Sequence, residues 1–311
     1  MTKPTFLGLG AQKCASSWIH QVLQSHPDVF VSDPKELDFF TNIYNRGYTW
    51  YEQHFDGAGA AKAIGEVSPS YFCDQQAPER VYRYDPDIKL VLSLRDPIKR
   101  AFSNHLHEIR KGHYQGDDLT FEAALPANPM YVEQSRYGKH LARWLEIFPI
   151  EQILILIHED IAAEPIAQVR RLYAFLNVDP DHQSEFLHKR SHETVGAKMP
   201  AIFKAWRAAG DFGRRHGMGN LVAATKNLPP VRAAMAANRR DLKSEIPAMR
   251  PETEEKLRQD LASDIDQLAR LTGRQDWPWP TWQKLPANQA GSDPQAQGTL
   301  LSLSLPSGST T

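Results

Sequence analysis

The sequence predicts an α/β fold, a parallel β-sheet flanked by helices with a P-loop-like strand-loop-helix site at its start. Two observations carry this prediction. Short apolar runs recur at Thr5–Gly10, Ile88–Leu94 and Gln152–His158, and segments of helical period lie between and after them. Strands alternating with helices pair in parallel and need cover on both faces. Sheets of this kind take their ligands at the carboxyl ends of the strands.

The first run is short, apolar and closed by glycine, as a buried strand should be. After a polar loop, Ser17–Ser25 reads as a helix that stops before His26-Pro27. The second strand stops at Arg95-Asp96-Pro97, where Asp96 suits a helix cap and Pro97 its first turn. An amphipathic helix over Tyr137–Phe148 leads into the third strand, and a helix over Pro165–Leu176 follows it.

Of the 311 residues, 41% are apolar and 23% charged, enough for a packed core and against disorder throughout. Thirty-six Lys and Arg balance 37 Asp and Glu, for a net charge of −1. A balanced chain is not built for bulk electrostatic grip on nucleic acid or anionic membrane, so any basic site must be local. Cys14 and Cys73 are the only cysteines, which excludes a disulfide framework and a multi-cysteine zinc site. The N-terminal apolar run is too short for a signal peptide, and no stretch reaches membrane-spanning length. The expectation is a soluble, cytoplasmic protein. Residues 1–285 are read as one domain. From Lys204 to Arg258, twelve Lys or Arg face six Asp or Glu in an Ala-rich stretch, read as a basic helical insertion at about 200–250. Residues 286–311 carry Asp293 as their only charge and read as a disordered tail.

The opening turn, Gly8-Leu9-Gly10-Ala11-Gln12-Lys13-Cys14-Ala15-Ser16-Ser17-Trp18, is the main chemical signal. A turn leading into a helix N-terminus exposes backbone N–H groups that bind anions. Lys13 adds a cation, and Ser16 and Ser17 add hydroxyls. The spacing is not that of nucleoside triphosphatases, which need Gly-x-x-x-x-Gly-Lys-Ser/Thr. The second signal is Arg95 at the end of a buried strand, with Ser103 on the following helix. Arginine forks onto phosphate oxygens, and serine adds a directed bond. Two phosphate-type sites suggest a nucleotide charged at both ends of its ribose. Lys99 and Arg100 are read as solvent-facing, and His105 and His107 as surface or core imidazoles. The third signal is Asp33-Pro34-Lys35-Glu36-Leu37-Asp38-Phe39-Phe40, where a carboxylate buried beside aromatics would gain pKa and suit a general base. The fourth, Gly65–Tyr71, reads as a strand-edge turn whose hydroxyls line a cleft. The 12 histidines form no ligand-spaced cluster, so no metal is expected.

In this order the segments resemble the sulfotransferases that use 3′-phosphoadenosine 5′-phosphosulfate (PAPS), above all their heparan-sulfate-type branch. The resemblance extends through Pro78–Tyr82, Tyr137–Leu141 and Leu271–Trp277. It implies that Lys13, Cys14, Ala15, Ser16, Ser17 and Trp18 hold the 5′-phosphosulfate, Lys13 meeting charge that builds on the departing phosphate. It implies that Arg95 and Ser103 hold the 3′-phosphate, with Lys189 and Arg190 in a late loop over the nucleotide. Glu36 would take the proton from the acceptor hydroxyl, and Lys35 would assist the sulfuryl oxygens. In-line transfer of this kind needs positioning, a base and cations, but no metal. PAPS enters as co-substrate and 3′-phosphoadenosine 5′-phosphate (PAP) leaves.

The chain departs from that branch in four places. Lys13-Cys14-Ala15-Ser16 replaces Lys-x-Gly-Thr, Asp38 stands for a His, and Val67 replaces a catalytic Lys. The late disulfide hairpin gives way to the basic insertion. The expected acceptor is therefore a hydroxyl on a small metabolite, a lipid or a saccharide. Cys14, at a helix N-terminus beside Lys13, is expected to have a lowered thiol pKa. The competing readings are a nucleotide-dependent kinase of related fold and a PAP-binding relative without turnover.

Overall fold

The computed structural model describes residues 2–114, 119–187, 195–197, 230–231, 239–241 and 246–283. Five strands form a fully parallel sheet: β1 (Phe6–Gly10), β2 (Val29–Val31), β3 (Ala63–Val67), β4 (Lys89–Leu94) and β5 (Ile153–Ile157), in the order β2-β3-β1-β4-β5. From β1 the chain proceeds to one side through β3 and to the other through β4. The crevice beyond the ends of β1 and β4 is the switch point at which such sheets bind ligands.

The sheet is buried on both faces because its strands are apolar on both. Leu7, Leu9, Leu90, Leu92 and Leu94 face one core with Phe39, Phe40, Tyr51 and Trp144. Phe6, Val29, Val31, Val91 and Leu156 face the other. The second core is closed by α1 (Ser16–Gln24) and α9 (Pro165–Phe175), through Trp18, Val22, Val169 and Tyr173.

Strands β2 and β3 are absent from the sequence reading. Val29–Val31 is too short for periodicity to register. Ala63-Ile-Gly-Glu-Val67 interrupts its two β-branched residues with Gly65 and Glu66, and packing explains the glycine. A Cβ on Gly65 would stand 2.2 Å from the Phe6 carbonyl, so neighbouring strands leave no room for a side chain. The predicted strand-edge turn at Gly65–Tyr71 thus begins inside a buried strand.

Helix α4 (Pro97–Lys111) starts as predicted: Asp96 Oδ1 accepts from the amides of Ile98 and Lys99, each at 3.1 Å. The same carboxylate accepts from Thr281 N and Oγ1 at 2.9 and 2.8 Å, which latches the 277–283 segment under the helix start. Helix α7 (Tyr137–Leu145) lies against α10 (Pro251–Thr272), the last helix described. Asp264 of α10 accepts from the amides of Gly138 and Lys139, each at 2.9 Å, capping α7 from outside. Short helices α2 (Gly47–Glu52), α3 (Ala77–Tyr84), α5 (Phe121–Ala124), α6 (Met130–Glu133) and α8 (His158–Ala163) complete the layers. Strands β6 (Val195–Ala197) and β7 (Arg239–Asp241) form a separate antiparallel pair. No helix among the described residues is long and apolar enough to cross a membrane. Most of the predicted basic insertion, all of the predicted tail, and Lys189 and Arg190 lie outside the described residues.

Candidate active site

The turn after β1 is shaped by backbone. Lys13 (φ 70°) and Ala15 (φ 73°) are both left-handed, on either side of Cys14. Such alternation turns consecutive N–H groups toward one side, the geometry of an anion nest. Each left-handed non-glycine residue costs of order 1–3 kcal/mol, so surrounding structure must hold it. The hold comes from below. Cys14 is fully buried, with its Sγ 3.6 Å from Tyr137 Oη and 3.6 Å from the Gln12 carbonyl. Tyr137 Oη donates to the Arg95 carbonyl at 3.0 Å, joining the loop to the end of β4. Gly10 is pressed on Pro69, where a Cβ would meet the carbonyl at 2.8 Å. Ala15 precedes α1 without a side-chain cap, and the first turn holds no acid. The first-turn amides of Ser16, Ser17 and Trp18 thus suit an anion.

Burial raises the Cys14 thiol to about 11, against the expected lowering. Desolvation outweighs the helix N-terminus and the nearby Arg100 and Arg95, because the side chain points into the core. The Cys14 side chain does not face a ligand, and its amide donates to the Ala11 carbonyl at 3.3 Å. The Trp18 ring is likewise in the core, with Nε1 donating to the Leu187 carbonyl at 3.3 Å, so its contribution to an anion is its amide. That bond also fixes the chain just ahead of residues 189–190.

Arg95, half-buried, donates to the Lys13 carbonyl at 3.5 Å, which brings the two predicted phosphate groups together. Ser103 is half-buried on α4, and His107 lies one turn further along. Burial first, then the charges of Lys13, Arg110 and Lys111, lower the His107 pKa to about 4. Arg110 donates to its Nδ1 at 2.7 Å. His107 therefore adjoins Lys13, whereas His105 is a core residue bonded to the Leu119 carbonyl at 2.9 Å. Lys99 is exposed as expected, but Arg100 is fully buried and donates to Ser135 Oγ at 2.6 Å, Gln134 Oε1 at 3.1 Å and the Tyr131 carbonyl. It faces inward because the helix face that carries it packs on α6, and it ties α4 to the 131–135 segment.

The loop after β2 borders the same end of the sheet. Glu36 is 49% exposed and ion-paired with Lys35, so it is not the buried carboxylate that the aromatic neighbours suggested. Burial instead raises the pKa of Asp38, which accepts from Ser70 Oγ at 2.6 Å. Phe39 and Phe40 are in the core. The charges of Lys35, Asp33 and Glu36 are felt at His20 of α1, one turn from Ser16 and Ser17. Val67 is buried against Gly8, so its place in the strand is filled by packing.

The residue that sequence reasoning missed is Glu66. It is fully buried at the end of β3, where it accepts from Tyr51, Tyr71, Ser68 and the Leu37 amide. Burial raises its pKa, and those four bonds oppose the rise. The available signal was a lone acid within the small and apolar run Ala63–Val67.

A family model described as the sulfotransferase domain matches residues 3–201. The chain belongs to the sulfotransferase family. Heparan sulfate glucosamine 3-O-sulfotransferase 5 of Homo sapiens is 31% identical over 188 residues, covering 57% of this chain and 54% of that protein. Heparan sulfate glucosamine 3-O-sulfotransferase 6 of Mus musculus is 31% identical over 180 residues, covering 56% and 52%. The chain thus spans about half the length of these relatives. A sulfotransferase crystal structure from Alicyclobacillus acidocaldarius shares the fold, with a TM-score of 0.66 and 23% identity over 90% of this chain and 99% of that one.

Proposed function

We propose that this sulfotransferase-family chain moves the sulfuryl group of PAPS to a saccharide hydroxyl. The observation that carries the reading is the bond from Arg95 to the Lys13 carbonyl at 3.5 Å, which puts the Arg95 guanidinium beside the loop at the switch point. The nest around Lys13 and the uncapped start of α1 fit a 5′-phosphosulfate, and Arg95 with Ser103 fits a 3′-phosphate. The names of the heparan sulfate relatives support a saccharide acceptor.

In this reading PAPS supplies an activated sulfuryl group, and the chain orients it. The acceptor oxygen bonds to sulfur as the bond from sulfur to the 5′-phosphate oxygen breaks. Lys13 and the first-turn amides take up the charge left on that oxygen, and Glu36 accepts the acceptor's proton. Lys35, paired with Glu36, would assist the sulfuryl oxygens from beside that carboxylate. Cys14 has no part in covalent chemistry, since its thiol is buried and protonated. It also sits where a kinase loop would need a magnesium-binding hydroxyl.

The test uses 35S-labelled PAPS with heparan sulfate, its desulfated forms and a set of simple alcohols. Label on a saccharide, lost on adding excess PAP, is the expected result. Label on the simple alcohols alone would refute the saccharide, and no transfer with PAP bound would leave a non-catalytic relative.

A further inference from the structure

Glu66 accepts four hydrogen bonds, and three of them lead to the loop that carries Glu36. Oε1 accepts from Tyr51 Oη at 3.0 Å and Tyr71 Oη at 2.5 Å, and Oε2 from Ser68 Oγ at 2.5 Å and Leu37 N at 3.2 Å. Two of these hydroxyls are themselves acceptors for the loop. Asp38 N donates to Ser68 Oγ at 3.0 Å, and Phe39 N to Tyr71 Oη at 2.9 Å. Phe40 N reaches the same oxygen at 3.5 Å. Four consecutive amides, Leu37 to Phe40, therefore end on Glu66 directly or through one hydroxyl.

Ser68 Oγ and Tyr71 Oη each accept from a loop amide and donate to Glu66, Tyr51 Oη donates as well, and the Leu37 amide can only donate. Four donors on two oxygens match an ionised carboxylate, which only accepts. The anion polarises each hydroxyl it binds, which strengthens that hydroxyl's hold on the next amide. The loop needs such a hold. Glu36 (φ 64°) and Asp38 (φ 51°) are left-handed, a backbone conformation that surrounding structure must hold.

We propose that Glu66 is a positioning residue for sulfuryl transfer, a buried anion that sets Glu36 through the amides of residues 37–40. This rests on the reading of Glu36 as the proton acceptor. A misplacement of about 1 Å at a catalytic group costs on the order of 10²-fold in rate, so the loop's register matters although Glu66 touches no substrate.

Glu66→Gln keeps size but puts an NH2 where only acceptors fit. With 35S-labelled PAPS and heparan sulfate, it should lower kcat about 10²-fold, leaving the KM for PAPS and the affinity for PAP unchanged. In a Glu36→Gln background the same change should cost less than about threefold, because residues acting as a unit are not additive. Equal cost in both backgrounds, or an unchanged kcat, would overturn the proposal while leaving Glu36 as base. Full activity of Glu36→Gln would remove the base assignment and this proposal with it. If Glu66→Gln does not fold, Tyr71→Phe makes the same test. Hydrogen exchange reads the loop without turnover. The amides of Leu37–Phe40 should exchange at least about tenfold faster in Glu66→Gln or Tyr71→Phe, with Leu90–Leu92 unchanged; unchanged loop exchange would overturn the proposal.

Discussion

Two loops border the candidate site, and each places left-handed non-glycine residues on either side of a buried one: Lys13 and Ala15 around Cys14, Glu36 and Asp38 around Leu37. The backbone device is the same, but the hold differs. The first loop is anchored by a buried thiol under Tyr137 and by Gly10 pressed on Pro69. The second hangs by its amides from a buried anion. The first loop spends the amides of Ala11 and Cys14 on the Ser93 and Ala11 carbonyls, at 2.7 and 3.3 Å, and relies on packing for the rest, which suits the proposed presentation of first-turn amides to a ligand. The second spends four consecutive amides, which suits a loop proposed to act through a side chain.

The largest expected effect lies in the first loop. Lys13→Ala should lower kcat by about 10²–10³-fold, the usual cost of losing a charge-stabilising group; labelled transfer measures it, and a normal rate would end the parallel between the loops. Arg95→Ala should weaken PAP binding about tenfold to a hundredfold, the worth of a charged hydrogen bond. Binding of adenosine 5′-phosphosulfate should change much less, and calorimetry with both ligands separates the cases.

Acid sensitivity is a smaller effect. His107 and His158 have pKa values near 4 in the folded chain, set first by burial and then by Lys13 and Arg95 respectively. Unfolded, they titrate near 6.5. The unfolded chain binds the extra protons between those values, so this contribution is complete above about pH 6.5 and lost as pH falls toward 4. His107→Gln and His158→Gln should each flatten the stability curve in that window, as denaturant titrations at several pH values will show. The smallest effect is at Cys14: iodoacetamide at pH 8 should leave it unmodified in the folded chain, since its thiol is buried and titrates at about 11. Rapid alkylation would mean that the first loop is not held by packing.

What was legible in the sequence follows the same division. Strands β1, β4 and β5 announced themselves as apolar runs, and Asp96-Pro97 announced a helix start, because those signals are local. The candidate anion loop was legible because backbone anion sites need a strand end, a turn and a helix start in one stretch. Strands β2 and β3 were not, one being too short and the other interrupted by a glycine that the approach of Phe6 requires and by a buried acid. The burial of Cys14, Trp18 and Arg100 was hidden because it depends on Tyr137, Leu187 and Ser135, all distant in sequence. Glu66 was hidden for the same reason: its partners come from three separated segments.

The most direct measurement is a crystal structure of the chain with PAP. The 5′-phosphate should lie ~3 Å from the amides of Ser16, Ser17 and Trp18, beside Lys13, with the 3′-phosphate on Arg95 and Ser103. A nucleotide bound away from the ends of β1 and β4, or an Arg95 turned from its 3′-phosphate, would contradict a shared two-phosphate site.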